Sequence, residues 1–223
     1  MVVIRHLFSR SHELTAPAGE HQMSASRKAE IHGTIRRFDG FFKIDEIDVS
    51  HQTLGGETSR QQRLVFERGD AVAVLLYDPE DDEVVLVNQF RVPALVARRR
   101  DDPKIQDGWL TETIAGMIDE GETPVAAVIR ETMEETGYRI SNPEPIGAFF
   151  SSPGGTSERI FLYFAKINKK DRDGKGGGID DEDLAVVRVS APELFDQLAN
   201  GQIEDTKLAI AAYWLQNYKR LAG

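Results

Sequence analysis

In FFKIDEIDVS (Phe41–Ser50) aromatic and β-branched residues alternate with acids, the pattern of a half-exposed strand. A turn at Leu54-Gly55-Gly56 and a second strand near Arg63–Glu67 follow. Together they predict a small β unit, too poor in apolar residues to stand without something to pack on. The next stretch, AVAVLLYDPEDDEVVLVNQFR, is two continuous apolar runs around an Asp-Pro-Glu-Asp-Asp turn, a buried hairpin that starts the main core. ARRRDDPK (Ala97–Lys104) reads as a charged loop, either a solvated insertion or an anion-binding arm. WLTETIAG is a short strand, and PIGAFFSSPGGTSERIFLYFAKI gives two strands around a Ser-Pro-Gly-Gly loop. A Gly- and Asp-rich loop, a strand LAVVRVS and two helices complete the order. The first helix starts at a capping box on Ser190 and stops near Gly201; the second runs from about Thr206 to Leu221. Strands come first and are then interleaved with helices, which predicts an α+β layered fold. Residues 1–39 read as an N-terminal extension without an assigned role, 40–68 as a small N-terminal β subdomain and 69–223 as the main domain.

Between the short strand and the Ser-Pro-Gly-Gly loop lies GMIDEGETPVAAVIRETMEETGY, Gly116 to Tyr138. Thr123-Pro124 is a helix start and Gly137 a helix stop, so the helix is predicted over Pro124–Thr136. At helical spacing Val125, Val128, Ile129, Thr132 and Met133 share one side, and Glu131, Glu134 and Glu135 cluster on another. An amphipathic helix with its acids in water fits this pattern. Yet Glu131 and Glu135 are one turn apart beside Glu134, with only Arg130 adjacent as a cation, and acids at a helix C-terminus oppose its dipole. A divalent cation would remove that repulsion. Oxygen-only donors favour a hard ion, Mg2+ first and Mn2+ second.

Composition narrows the alternatives. The 223-residue chain has a formal net charge of −10, so its overall field opposes nucleic acid and anionic membranes, and an anionic substrate needs local cations or metal. No apolar run approaches the ~20 residues of a membrane span. The chain has no cysteine, which excludes disulfides and thiolate chemistry and fits a cytoplasmic protein. All five histidines lie within the first 51 residues, leaving carboxylates and arginines to carry chemistry elsewhere.

The full spacing is Gly116, five residues, Glu122, seven residues, Arg130-Glu131, two residues, Glu134-Glu135, one residue, Gly137. This resembles the Nudix box of the Nudix hydrolases, with Thr132 where an aliphatic residue is usual. The wider chain, through FERGDA, VVLVNQFRV, SSPGGTSER and DDEDLAV, looks like the ADP-ribose pyrophosphatases within that family. The resemblance implies a Nudix fold with mixed sheets between helices, and Mg2+-dependent hydrolysis of ADP-ribose to AMP and ribose 5-phosphate. It makes Glu131, Glu135 and the Ala115 carbonyl metal ligands, and Glu134 a further ligand or water-holding acid. Gly116, Glu122 and Arg130 become supports of the box. It puts the catalytic base on the later Gly-rich loop, at Glu182 first and Asp180 second. It suggests Arg63 and Arg91 for the diphosphate, Phe42 for the base and Glu158 for the terminal ribose. It also implies a homodimer that exchanges the N-terminal β unit. GDP-mannose or another nucleotide sugar is the rival substrate, and a non-catalytic sugar-nucleotide sensor the rival class.

Overall fold

A computed structural model describes residues 27–178 and 183–222. The described chain divides into two compact units at Arg68–Gly69, with Ser152–Ser157 belonging to the first.

The first unit is an antiparallel three-stranded sheet, β1 (Ala29–Asp39), β2 (Lys43–Gln52) and β3 (Thr58–Glu67), in that order. The expected start of this unit at residue 40 is therefore too late, because residues 29–39 form its first strand. Register shifts between Ile31 and Gly33 and between Arg36 and Phe38 break the period of two, which is why AEIHGTIRRFD does not read as a strand. The acids of β2 are matched across the sheet: Arg36 pairs with Asp45, Arg37 with Glu46 at 2.7 Å and Arg60 with Asp48 at 2.6 Å. The segment Ser152–Ser157 joins through the Phe66 N–H, which donates to the Gly155 carbonyl at 2.8 Å.

The second unit is built on a seven-stranded mixed sheet. Its strands are β4 (Ala71–Asp78), β5 (Glu83–Phe90), β6 (Trp109–Glu112), β7 (Ile114–Met117), β8 (Glu144–Phe150), β9 (Arg159–Lys166) and β10 (Leu184–Ser190). The main path is β10-β5-β4-β9-β8, with β6 beside β5 and β7 beside β4; β4 and β9 run parallel. Every residue of β4 is buried, as a continuous apolar run in a central strand requires. Four helices complete the unit: α1 (Val92–Asp101), α2 (Pro124–Thr136), α3 (Ala191–Ala199) and α4 (Thr206–Ala222). One sheet face, with Ala73, Leu75, Leu86 and Phe164, packs on Leu194 and Leu198 of α3 and Leu208 and Leu215 of α4. Val72, on the other face, is the register partner of Gly116, which lies under α2. The sheet is thus held between helices, the α+β layering that the order of elements predicts. No described helix is long and apolar enough to cross a membrane.

The segment Ala97–Lys104 is not a loop throughout: α1 extends to Asp101. Arg98, in its last turn, pairs with Glu204 and with Asp107 at 3.2 Å. Partnered arginines on a helix end look, in sequence, like a solvated charge run. Elsewhere Arg188 of β10 holds Asp78 at 2.7 Å, Glu83 at 2.6 Å and the Tyr138 hydroxyl at 2.8 Å, tying the hairpin turn to the chain two residues past the acidic helix.

Candidate active site

The acidic helix has the limits its caps predict. The Thr123 hydroxyl accepts from the Ala126 N–H at 3.2 Å, Pro124 opens the first turn, and Gly137 closes the helix in the left-handed region with φ 74°. Its buried face differs from the expected one. Ala127, Val128, Thr132, Glu135 and Thr136 are buried, whereas Val125 is exposed. The packed side is rotated toward the acids, so these carboxylates face protein as well as solvent. Thr132 is fully buried, and its hydroxyl donates to the Val128 carbonyl at 2.6 Å, which satisfies the group that an aliphatic residue would lack.

Gly116 explains how α2 lies so close to the sheet. A Cβ at this position would fall 1.9 Å from the Glu131 carboxylate carbon, so only glycine lets that carboxylate rest against the β7 backbone beside Ala115. Arg130 then ties the loop before the helix to the helix itself. Its guanidinium donates to both oxygens of Glu122 at 3.1 and 2.9 Å and to the Met117 carbonyl at 3.0 Å. Its third nitrogen bridges Glu131 at 2.8 Å and Glu134 at 3.1 Å. The Glu122 hydrogen bond raises the Arg130 pKa strongly against the cost of burial, and the same bond holds the Glu122 carboxyl below its ordinary range.

The donor set suits a hard divalent cation. Glu131 and Glu134 are mostly shielded, Glu135 is 4% exposed, and all three offer oxygen. The Gly116 cradle brings the Glu131 carboxylate to the backbone of the strand that carries Ala115. Among the described residues, no three acidic or histidine side chains are grouped so as to hold a metal ion as they stand.

A second charged group adjoins this site. Arg91, just before α1, donates from Nε to Glu112 Oε1 at 2.6 Å and from Nη2 to Oε2 at 3.3 Å. Lys207 reaches the same carboxylate at 3.1 Å and Asp205 at 2.6 Å, and Asp205 caps α4 by accepting from the Leu208 N–H. Burial opposes charge here, yet the partners prevail: Glu112 lies below the usual carboxylate range and Lys207 above its ordinary value. Arg91 is raised in the same way, with the Glu135 charge contributing. Arg91, Pro93, Ala94, Arg98, Leu110 and Glu112 are among the residues lining a cleft of ≈ 440 Å³. Glu112 and Lys207 were not expected from sequence. The available signal was a lone carboxylate inside the apolar strand WLTETIAG.

The remaining expected residues are placed as follows. Phe42 and Arg63 belong to the first unit. The Phe42 ring packs edge-on against Phe66 at 5.1 Å with the Arg68 guanidinium 5.3 Å from its centroid, and Arg63 is exposed. Glu158 is buried just before β9, where its carbonyl accepts from the Ser151 N–H at 3.2 Å. Asp180 and Glu182 lie outside the described residues.

A family model described as the NUDIX domain matches residues 67–209, more than half of the chain. The chain belongs to the NUDIX family. Among its NUDIX relatives, a GDP-mannose pyrophosphatase of Cronobacter sakazakii is 35% identical over 178 residues, covering 80% of this chain and 90% of that protein. An ADP-ribose pyrophosphatase of Escherichia coli strain K12 is also 35% identical, over 181 residues, covering 80% of this chain and 83% of that protein. A crystal structure described as ADP compounds hydrolase superposes with a TM-score of 0.64 at 18% identity, covering 90% of this chain and 99% of that one, a likeness of fold alone.

Proposed function

We propose that this NUDIX protein is a Mg2+-dependent pyrophosphatase that hydrolyses ADP-ribose to AMP and ribose 5-phosphate. The observation that carries the reading is the acid-rich turn of α2, seated on Gly116 and anchored by Arg130 to Glu122. Glu131, Glu135 and the Ala115 carbonyl would hold the ion, which supplies charge neutralisation at the phosphoryl oxygens and a lowered pKa for the attacking water. Mn2+ is the next ion of suitable hardness. Glu134 would orient water, and Glu182, with Asp180 as second candidate, would take its proton as a P–O bond of the diphosphate breaks. Arg91 and Arg63 would bind the diphosphate, Phe42 would stack on the base and Glu158 would accept from the terminal ribose. Glu182→Gln is expected to lower kcat by roughly 10²–10⁴ with folding intact, the usual loss for a general base; a rate near wild type would move the role to Asp180 or Glu134.

The second reading is GDP-mannose as substrate, favoured by the relative of that name at the same identity. Turnover on ADP-ribose and GDP-mannose with Mg2+, with products identified, decides between them. Faster turnover of ADP-ribose supports the first reading; turnover centred on GDP-mannose replaces the substrate and keeps the chemistry. Tight binding without turnover would support a sensor instead.

The working form is proposed to be a cytoplasmic homodimer that shares its N-terminal β units, without nucleic-acid or membrane partners. The cysteine-free, acidic composition supports the setting. The register puts Ile35 and Leu64 opposite Glu46, and Phe38 opposite Ile44, on one sheet face, and Ile35, Phe38 and Leu64 are 52%, 59% and 60% exposed in the single chain. Exposed apolar residues clustered in this way mark an interaction surface. A fully active monomer in sedimentation would contradict the shared unit.

A further inference from the structure

The C-terminal turn of α2 is under two electrostatic loads. Glu131, Glu134 and Glu135 repel one another, and no basic residue lies in the last turn to offset the helix dipole. The last carbonyls of a helix also need donors from elsewhere. Here those donors come from backbone. Gly137 donates to Met133 at 2.9 Å, Gly177 to Glu135 at 2.8 Å and Gly178 to Glu134 at 3.2 Å. Asp173 and Gly174 add bonds to the Gly137 carbonyl at 2.8 and 3.1 Å, and Arg139 pairs with Asp173.

Glycine is required for this approach at two points. A Cβ on Gly137 would fall 2.2 Å from the Gly174 carbonyl oxygen, and one on Gly176 would fall 2.6 Å from the Glu135 carbonyl oxygen. Both residues also have positive φ, 74° and 66°. The carbonyls that receive the bonds belong to the same residues, Glu134 and Glu135, whose side chains are assigned to the ion and its water.

We infer that residues 174–178 form a backbone clamp that positions the metal-ligating turn of α2 and thereby sets its affinity for a divalent cation. The inference rests on the metal-site reading proposed above. The N–H donors place partial positive charge at the helix end without introducing a side-chain cation that would compete for the carboxylates. They also fix the turn before the ion arrives, so less ordering remains to oppose binding. Gly176 is accordingly a positioning residue.

The test is Mn2+ binding to the substrate-free full chain, measured by calorimetry, for the wild type, Gly176→Ala, Gly201→Ala and Glu135→Gln. Gly201 has a similar φ of 68° but open space around it, so its substitution adds backbone strain without a collision and away from α2. Gly176→Ala is expected to weaken Mn2+ binding about 10–100-fold, the effect of losing an outer support of a metal site, while Gly201→Ala stays within about twofold of wild type. Wild-type affinity in Gly176→Ala, with Glu135→Gln impaired, overturns the clamp and leaves the metal site standing. Wild-type affinity in Glu135→Gln overturns the metal-site reading itself. Should Gly176→Ala fail to fold, amide exchange in the wild type decides. Slow exchange at 174–178 that slows further with Mg2+ supports the clamp, and exchange indifferent to Mg2+ overturns it.

Discussion

Around Arg91, two cations and two carboxylates are paired one for one: Arg91 and Lys207 against Glu112 and Asp205. Around Arg130, three carboxylates, Glu122, Glu131 and Glu134, share one guanidinium, Asp119 lies at 3.8 Å from it, and Glu135 follows one turn after Glu131 on the same helix. Both groups are partly buried and both sit on well-formed elements, so burial does not separate them. Charge balance does. Buried charge paired in a closed network is complete in itself, whereas the surplus of carboxylates held against the sheet is what the proposed cation would balance. The comparison teaches where to look for a ligand: at the cluster whose charges the protein leaves unequal.

Glu135→Gln should show the largest effect. It removes one proposed ligand, and metal is worth several kcal/mol in the transition state, so kcat is expected to fall roughly 10³-fold with little change in unfolding by urea. A fall in stability equal to that of an ordinary buried mutant, with activity retained, would make the acidic turn structural after all.

Glu112→Gln attacks the balanced cluster and should do the reverse. Breaking a buried pair leaves Arg91 without its carboxylate and Lys207 with Asp205 alone, at a typical cost of 3–5 kcal/mol; because Arg91 is partly open to solvent and Lys207 keeps a partner, about 3 kcal/mol is expected in urea unfolding. The pH dependence carries the same information. The folded Glu112 carboxyl titrates below its unfolded value, so its contribution is fully present above the ordinary glutamate range and is lost as pH falls through the lower, folded pKa. Wild type should lose stability in that acidic window, and Glu112→Gln should lose less there. Equal acid slopes for the two proteins would show that the network does not act as a closed pair.

Glu122→Gln is expected to have the smallest effect of the three. It removes no ligand but loosens Arg130, whose bridge holds Glu131 and Glu134, and the support role predicts a 10–100-fold loss in metal affinity or rate. Added Mg2+ should recover part of that loss. A variant that high Mg2+ leaves unimproved would place Glu122 in the chemistry and not in the support.

The sequence revealed these features unequally, for identifiable physical reasons. The limits of α2 were legible because Thr123, Pro124 and Gly137 are local signals whose meaning does not depend on the rest of the fold. The layered order of elements was legible from the apolar runs of β4 and β5. Strand β1 was not, since its two register shifts erase the alternation that marks a strand. The buried face of α2 was misjudged because helical spacing identifies an apolar side but not a second neighbour: the segment from Asp173 to Gly178 lies against the helix end, and β7 receives Glu131 through the gap left by Gly116. The candidate ligands were legible through box spacing, while the Glu112–Lys207 link joins residues 95 positions apart and only folding brings them together.

The most direct test of the central claim is equilibrium Mn2+ binding, followed by electron paramagnetic resonance, in wild type, Glu135→Gln and folded Glu112→Gln. The account predicts saturable binding in wild type, its loss or strong weakening in Glu135→Gln, and its retention in Glu112→Gln. Equal binding by wild type and Glu135→Gln, or loss only in Glu112→Gln, would contradict the assignment of the unbalanced cluster as the metal site.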